Sequence, residues 1–256
     1  MNNQYTPGSM SPSQLGVRPS PALVQELLIG AFGWMFAGLM LTAAVAYLVT
    51  TSTGLMATVE SFWLLLLIGQ FALAMAIQGA INKISPTASL GLFFVYAASM
   101  GLTIGVIVSM YTGASVAAAF VSAAGMFGAA ALYGAVTKRN LSSIGGIAFI
   151  GIVGILIASV VNIFLASSMI GWAISLIGVA LFTALTAWDV QKITRGDYAA
   201  FAGSQERASI IAALHLYLDF INIFLFLLRL TGSTSRASLA ATRSARRSPG
   251  GIGRAK

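Results

Sequence analysis

The sequence predicts an all-α membrane protein, a polytopic bundle of seven transmembrane helices. Three observations predict it. Hydrophobic residues fill 58% of the 256 positions and charged residues only 8%, whereas a soluble domain carries about 25% charge. The apolar residues fall into seven runs of helix length, each near the roughly 20 residues that one bilayer crossing needs. The runs are continuous rather than alternating, which suits helices and not barrel strands, the other fold that can span a bilayer. Mean hydropathy is +0.90, and one membrane domain over 23–232 is the expected organisation.

The elements follow in order. Residues 1–22 hold Pro7, Pro12, Pro19 and Pro21 among Ser, Gly and Asn, and read as a disordered arm. No basic stretch directly precedes the first apolar run, so that run is expected to stay attached as a helix and not be removed as a signal peptide. The first span is expected over 27–49, with a turn at 50–54. The second covers 62–81, and Pro86 after it suits a helix's first turn, where a missing N–H costs nothing. The third covers 87–110, followed by a turn at 111–115.

The fourth span, 116–136, is rich in small residues, among them Ala117, Ser122, Gly125 and Ala129. Small residues let helices approach closely in lipid, so this helix is expected to touch protein along much of its surface. A short basic loop at 137–143 leads to the fifth span, 144–166. Ser167 and Ser168 leave room only for a tight hairpin into the sixth, 169–190. The segment 191–208 is the one long internal loop. The seventh span covers 209–230, and 233–256 is a disordered basic tail.

Net charge is +8, and six of the 14 basic residues lie in that tail: Arg236, Arg243, Arg246, Arg247, Arg254 and Lys256. Juxtamembrane basic clusters are drawn to anionic headgroups, so membrane lipids are the expected partner and nucleic acid is not. Alternate loops place Arg18, Lys83, Lys138, Arg139, Lys192, Arg195 and Arg207 on one side and no basic residue on the other before the tail. The positive-inside rule then puts the N-terminus in the cytoplasm. Seven crossings would put the basic tail outside, against the same rule. A re-entrant last segment would return it to the cytoplasm, and both arrangements stay open.

The chemistry available is narrow. Cys is absent and His occurs once, which excludes thiolate metal sites, disulfides and His-only metal clusters. No glycine-rich phosphate loop follows a strand, so ATP-driven transport has no support. No cofactor is expected, and the chain does not read as an enzyme. Glu26, Glu60, Asp197 and Glu206 sit near helix ends or in loops, as solvated groups do.

Asp219 differs, because it falls midway along the seventh span. A carboxylate at that depth should face the bundle interior or water and marks a functional position by default. His215 and Asn222 share its helix face at i−4 and i+3, and are candidates for tuning it. A structural hydrogen-bond cluster is the competing reading. Asp189, near the end of the sixth span, can equally snorkel to water or pair with Lys192 at i+3. If it meets Asp219, two full charges about 4 Å apart repel by roughly 4 kcal/mol at an effective dielectric near 20, and the pair retains a proton. Carboxylates also suit a hard cation such as Ca²⁺.

Three stretches carry a family likeness. Gly171–Trp172 and Leu181–Ile193, which includes Ala187–Trp188–Asp189–Val190–Gln191–Lys192, resemble the sixth helix of the Bax inhibitor-1 family. Ala213–Leu225, with His215–Leu216–Tyr217–Leu218–Asp219–Phe220, resembles that family's last helix, and Gly91–Thr103 its third. The resemblance covers about 27–232. It implies a central last helix wrapped by six others, residence in the bacterial inner membrane, and a pH-sensitive leak for cations, calcium first. It also implies that Asp189 and Asp219 form a proton-sensing pair that can hold the cation transiently. In the family's bacterial pattern an Arg from the second helix latches one aspartate. Here that helix ends Gln78–Gly79–Ala80–Ile81–Asn82–Lys83, and Lys83 is the candidate substitute. The alternative function is a non-transporting regulator that works through contacts with other membrane proteins. A diaspartyl intramembrane protease would need Gly-x-Gly-Asp, and Asp219 follows Tyr217–Leu218 instead.

Overall fold

The computed structural model describes residues 19–80, 83–202 and 204–233. Its helices are α1 (Pro21–Thr51), α2 (Thr53–Ser61), α3 (Trp63–Ala80), α4 (Pro86–Ser109), α5 (Gly113–Val136), α6 (Ser142–Leu165), α7 (Ser168–Thr194), α8 (Asp197–Ala202) and α9 (Gln205–Thr231). Seven of these are long and apolar enough to cross a membrane, all but α2 and α8. The expected arm at 1–22 and tail at 233–256 lie almost wholly outside the described residues, and α1 already begins at Pro21.

Local chemistry sets the helix starts. Ser20, Ser85, Thr112, Ser167 and Ser204 each cap a helix by accepting the amide hydrogen of the third residue on, which satisfies one of the unpaired first-turn donors. Pro86 stands in the first turn of α4 as expected. Three expectations need correcting. The turn at 50–54 shrinks to Ser52, because α1 continues to Thr51 and Ser52 then caps the additional helix α2. The loop expected over 191–208 is mostly helix: α7 runs on to Thr194, α8 folds within it, and α9 starts at Gln205. Polar residues ended the hydropathy runs there without ending the helices.

The third correction concerns α5. Only the stripe Ala119, Ala123, Phe127, Ala130, Ala131 and Gly134 is buried, while Ala117, Ser122, Gly125 and Ala129 are exposed. Close approach happens at one point, Gly134, where a Cβ would collide with the backbone carbonyl of Ala187 on α7. A backbone atom cannot move aside as a side chain can, so glycine is required there.

α9 is the axis of the bundle. Two thirds of its most apolar stretch is buried, against 11% for α3 and for α6. It packs on α1, α4, α5, α7 and α8. Tyr217 of α9 is fully buried, and its ring meets Phe93 and Tyr96 of α4 edge-on at centroid distances of 5.7 and 6.0 Å. Its hydroxyl lies 2.7 Å from Thr42 Oγ1 of α1. Thr42 Oγ1 is also 2.8 Å from the Ala97 carbonyl and 2.9 Å from that of Gly38, where its single proton is used, so Tyr217 is the donor to Thr42. In the same way Gln70 of α3 donates to the Ser99 carbonyl and to Thr103 Oγ1 of α4, both at 2.7 Å. Such polar ties matter in lipid, where apolar contact alone does not favour helix over lipid tail.

α9 is continuous, and past its end the Ser233 carbonyl accepts the Thr112 amide at 3.1 Å. Among the described residues the last segment is thus one unbroken helix that runs the length of the bundle. Lys83, Lys138, Arg139, Lys192, Arg195 and Arg207 all lie towards one end of the bundle, hereafter the basic end. The described chain finishes at the opposite end.

Candidate functional site

The basic end is braced by Gln191, buried on the last turns of α7. Its Nε2 donates to the Arg139 carbonyl at 2.8 Å, and its Oε1 accepts the Leu141 amide at 2.9 Å. Both partners lie in the connection between α5 and α6, so one side chain fixes that connection to α7. Trp188 packs where a Cβ on Gly145 of α6 would otherwise stand. Two residues before Gln191, Asp189 points the other way, into the bundle, and is 3% exposed.

Asp189 is heavily partnered. Lys192 Nζ lies 2.5 Å from its Oδ1, and the Tyr198 hydroxyl donates to the same oxygen at 2.9 Å. Its Oδ2 is 3.6 Å from His215 Nδ1 of α9. The Lys192 ammonium also sits 4.0 Å from the Trp188 ring centroid and 4.7 Å from that of Tyr198, so aromatic faces supplement its ion pair. The Tyr198 ring meets His215 edge-on at 5.6 Å. Burial, and then the Asp189 carboxylate, push the Tyr198 hydroxyl well above the ordinary tyrosine range. It therefore keeps its proton and stays a donor to Asp189.

Asp219 comes to the same place from the middle of α9 and is also 3% exposed. Its carboxyl faces Asp189, Lys192 and Thr186. Its Oδ2 is buried and has no hydrogen-bond partner among the described residues. An orphaned carboxyl oxygen away from water costs about 1–3 kcal/mol, more if charged. The two aspartates thus meet, with one cation, Lys192, beside both. No group of three or more His, Asp or Glu that could hold a resident metal occurs among the described residues.

The remaining candidates fall differently. His215 contacts Asp189 across the helix interface, although helical spacing had grouped it with Asp219. Asn222 turns its amide to the Leu218 carbonyl of its own helix at 2.8 Å. Lys83 is exposed in the turn between α3 and α4, and the cation found on Asp189 is Lys192. Sequence reasoning missed Tyr198 altogether. The only available hint was a tyrosine amid apolar alanines, Tyr198–Ala199–Ala200, inside a supposed loop.

A family model described as inhibitor of apoptosis-promoting Bax1 matches residues 24–236. Inner membrane protein YbhL of Escherichia coli strain K12 is 43% identical over 223 residues, which cover 85% of this chain and 95% of that protein. An uncharacterized protein of Deinococcus radiodurans is 42% identical over 211 residues, 82% of this chain and 91% of the relative. The uncharacterized protein YrjE of Lactococcus lactis is 40% identical over 206 residues, 78% and 88% of the two chains.

Proposed function

The chain belongs to the Bax inhibitor-1 family and is a multi-pass inner-membrane protein, and on that premise we propose that it is a pH-sensitive cation leak, calcium first, gated by the Asp189–Asp219 pair. The observation that carries this reading is the orphaned Oδ2 of Asp219, buried beside a second carboxyl. An atom so placed can be satisfied by a proton on the pair, by water or by an entering cation.

The groups facing the pair define its charge. Lys192 and Tyr198 hold Asp189 as a carboxylate, with His215 on its far oxygen. One ammonium balances one carboxylate, so the proton that the mechanism turns on is the one carried by Asp219. With the proton in place the site is neutral and α7 and α9 hold together. Without it an uncompensated negative charge is left in the bundle, at a cost of several kcal/mol. Hydration or a cation relieves that cost, and helix separation admits both. Flux therefore rises with pH.

The basic end faces the cytoplasm on this reading, with the N-terminus inside. The test is calcium and monovalent-cation flux into liposomes carrying the purified full chain, from about pH 6 to 8. Flux that climbs across this range is the expected result. Absence of flux from folded protein for every ion tried would favour the regulatory alternative, in which Asp189 with Lys192, Tyr198 and His215 serves only as a structural knot between α7, α8 and α9.

A further inference from the structure

The end of the bundle opposite the aspartates holds a second arrangement that the leak does not use. Arg229, near the end of α9, is the one basic residue at that end among the described residues. No hydrogen bond or ion pair satisfies it within them. Its guanidinium crosses α7 at Gly171, and a Cβ there would collide with Nη2. The side-chain amide nitrogen of Asn162 on α6 lies 3.5 Å from the same Cβ position, so the two donors converge.

Around them is a cavity of about 470 Å³ lined by Ser159, Asn162, Ser167, Ser168 and Arg229, with Ile163, Ala166 and Ile174. The hydrogen-bond inventory there is one-sided. Asn162 Oδ1 already accepts the Ser167 amide at 3.1 Å, which leaves the NH₂ group to face outward. Ser167 Oγ already accepts the Ile170 amide, which leaves its proton to donate. A guanidinium, an amide NH₂ and a hydroxyl proton together call for an anionic acceptor with several oxygens.

The surroundings decide where that anion comes from. Phe164 and Met169, on either side of the α6–α7 turn, are 84% and 82% exposed. Side chains of this kind hold the turn at the bilayer interface rather than out in bulk water. Trp172, also exposed, follows Gly171 and suits the headgroup level, where tryptophans gather. We propose that Arg229, Asn162 and Ser167 bind the phosphate of a phospholipid headgroup at the α6–α7 turn. The lipid would then fasten α6, otherwise a lightly packed peripheral helix, to the end of the central helix.

The test is native mass spectrometry of the full chain in detergent with added dioleoylphosphatidylglycerol, dioleoylglycerol or inorganic phosphate. The wild type is expected to retain one phosphatidylglycerol selectively, and the phosphate-free diacylglycerol not at all. Arg229→Gln is expected to weaken retention about tenfold, the scale of one charge-assisted contact. Arg229→Lys should restore part of it, since the charge remains without the fork. Gly171→Ala, which displaces the guanidinium while leaving its charge, should weaken retention independently. Equal retention by wild type and both Arg229→Gln and Gly171→Ala would overturn the site. Displacement of the lipid by inorganic phosphate would overturn the lipid as its ligand.

Discussion

Asp219→Asn is expected to hold cation flux at one low level from about pH 6 to 8. The amide is close in shape to the protonated carboxyl, cannot titrate, and carries no charge that calls for a cation. The variant should therefore behave at every pH as the wild type behaves at the acidic end. Because Asn keeps a polar group of equal size in the 3%-exposed site, thermal stability in detergent should change little. A flat but high profile would show that the Asp219 proton is not what closes the leak. Asp189→Asn should act more weakly on the pH dependence. It also removes the partner of Lys192 and the acceptor of Tyr198, so part of its effect is expected as lost stability.

Lys192→Met is expected to act in the opposite direction. The ammonium is a tethered cation already seated on Asp189 and held by two aromatic rings. On the proposed mechanism it competes with any ion that enters. Methionine keeps the length and apolar stem, removes the charge, and leaves Asp189 in need of a counter-ion. Flux at high pH should exceed that of the wild type. The rise with pH should also shift upward, on the order of one unit, because loss of a nearby positive charge makes the pair hold its proton more tightly. Unchanged flux and midpoint, measured in the same liposomes with folding verified, would show that Lys192 is a bystander. The cation at this aspartate lies one turn along the same helix, whereas Lys83 lies exposed between α3 and α4.

What could be read from the sequence follows from where the physics is local. Seven runs such as 144–166 are visible because a bilayer demands apolar length whatever the neighbours do. α8 is invisible for the opposite reason: Asp197–Ala202 opens on a charge and is too short for any period, and tertiary packing holds it in place. Asp219 stood out because a mid-span carboxylate is rare. Asp189 did not, since position alone equally suits a snorkelling helix end, and only the likeness of Trp188–Asp189–Val190–Gln191 to a family's sixth helix raised it. Helical spacing placed His215, Asp219 and Asn222 on one face, yet a shared face is not a shared partner. His215 reaches across to Asp189, and Asn222 bonds back to Leu218. Tyr198 joins the site through the fold of α8, which no spacing rule contains. The small residues of α5 misled because a permissive surface is used only where a partner helix arrives, and α7 and α9 arrive along one stripe.

The most direct test of the paired-carboxylate gate is the Asp189→Asn/Asp219→Asn double variant, confirmed as folded, in proteoliposomes loaded with a calcium indicator. Flux should be independent of pH over about 6 to 8, with little change beyond that of Asp219→Asn alone, as expected for two residues that act as one unit. Calcium flux that rises with pH as steeply as in the wild type would contradict the account.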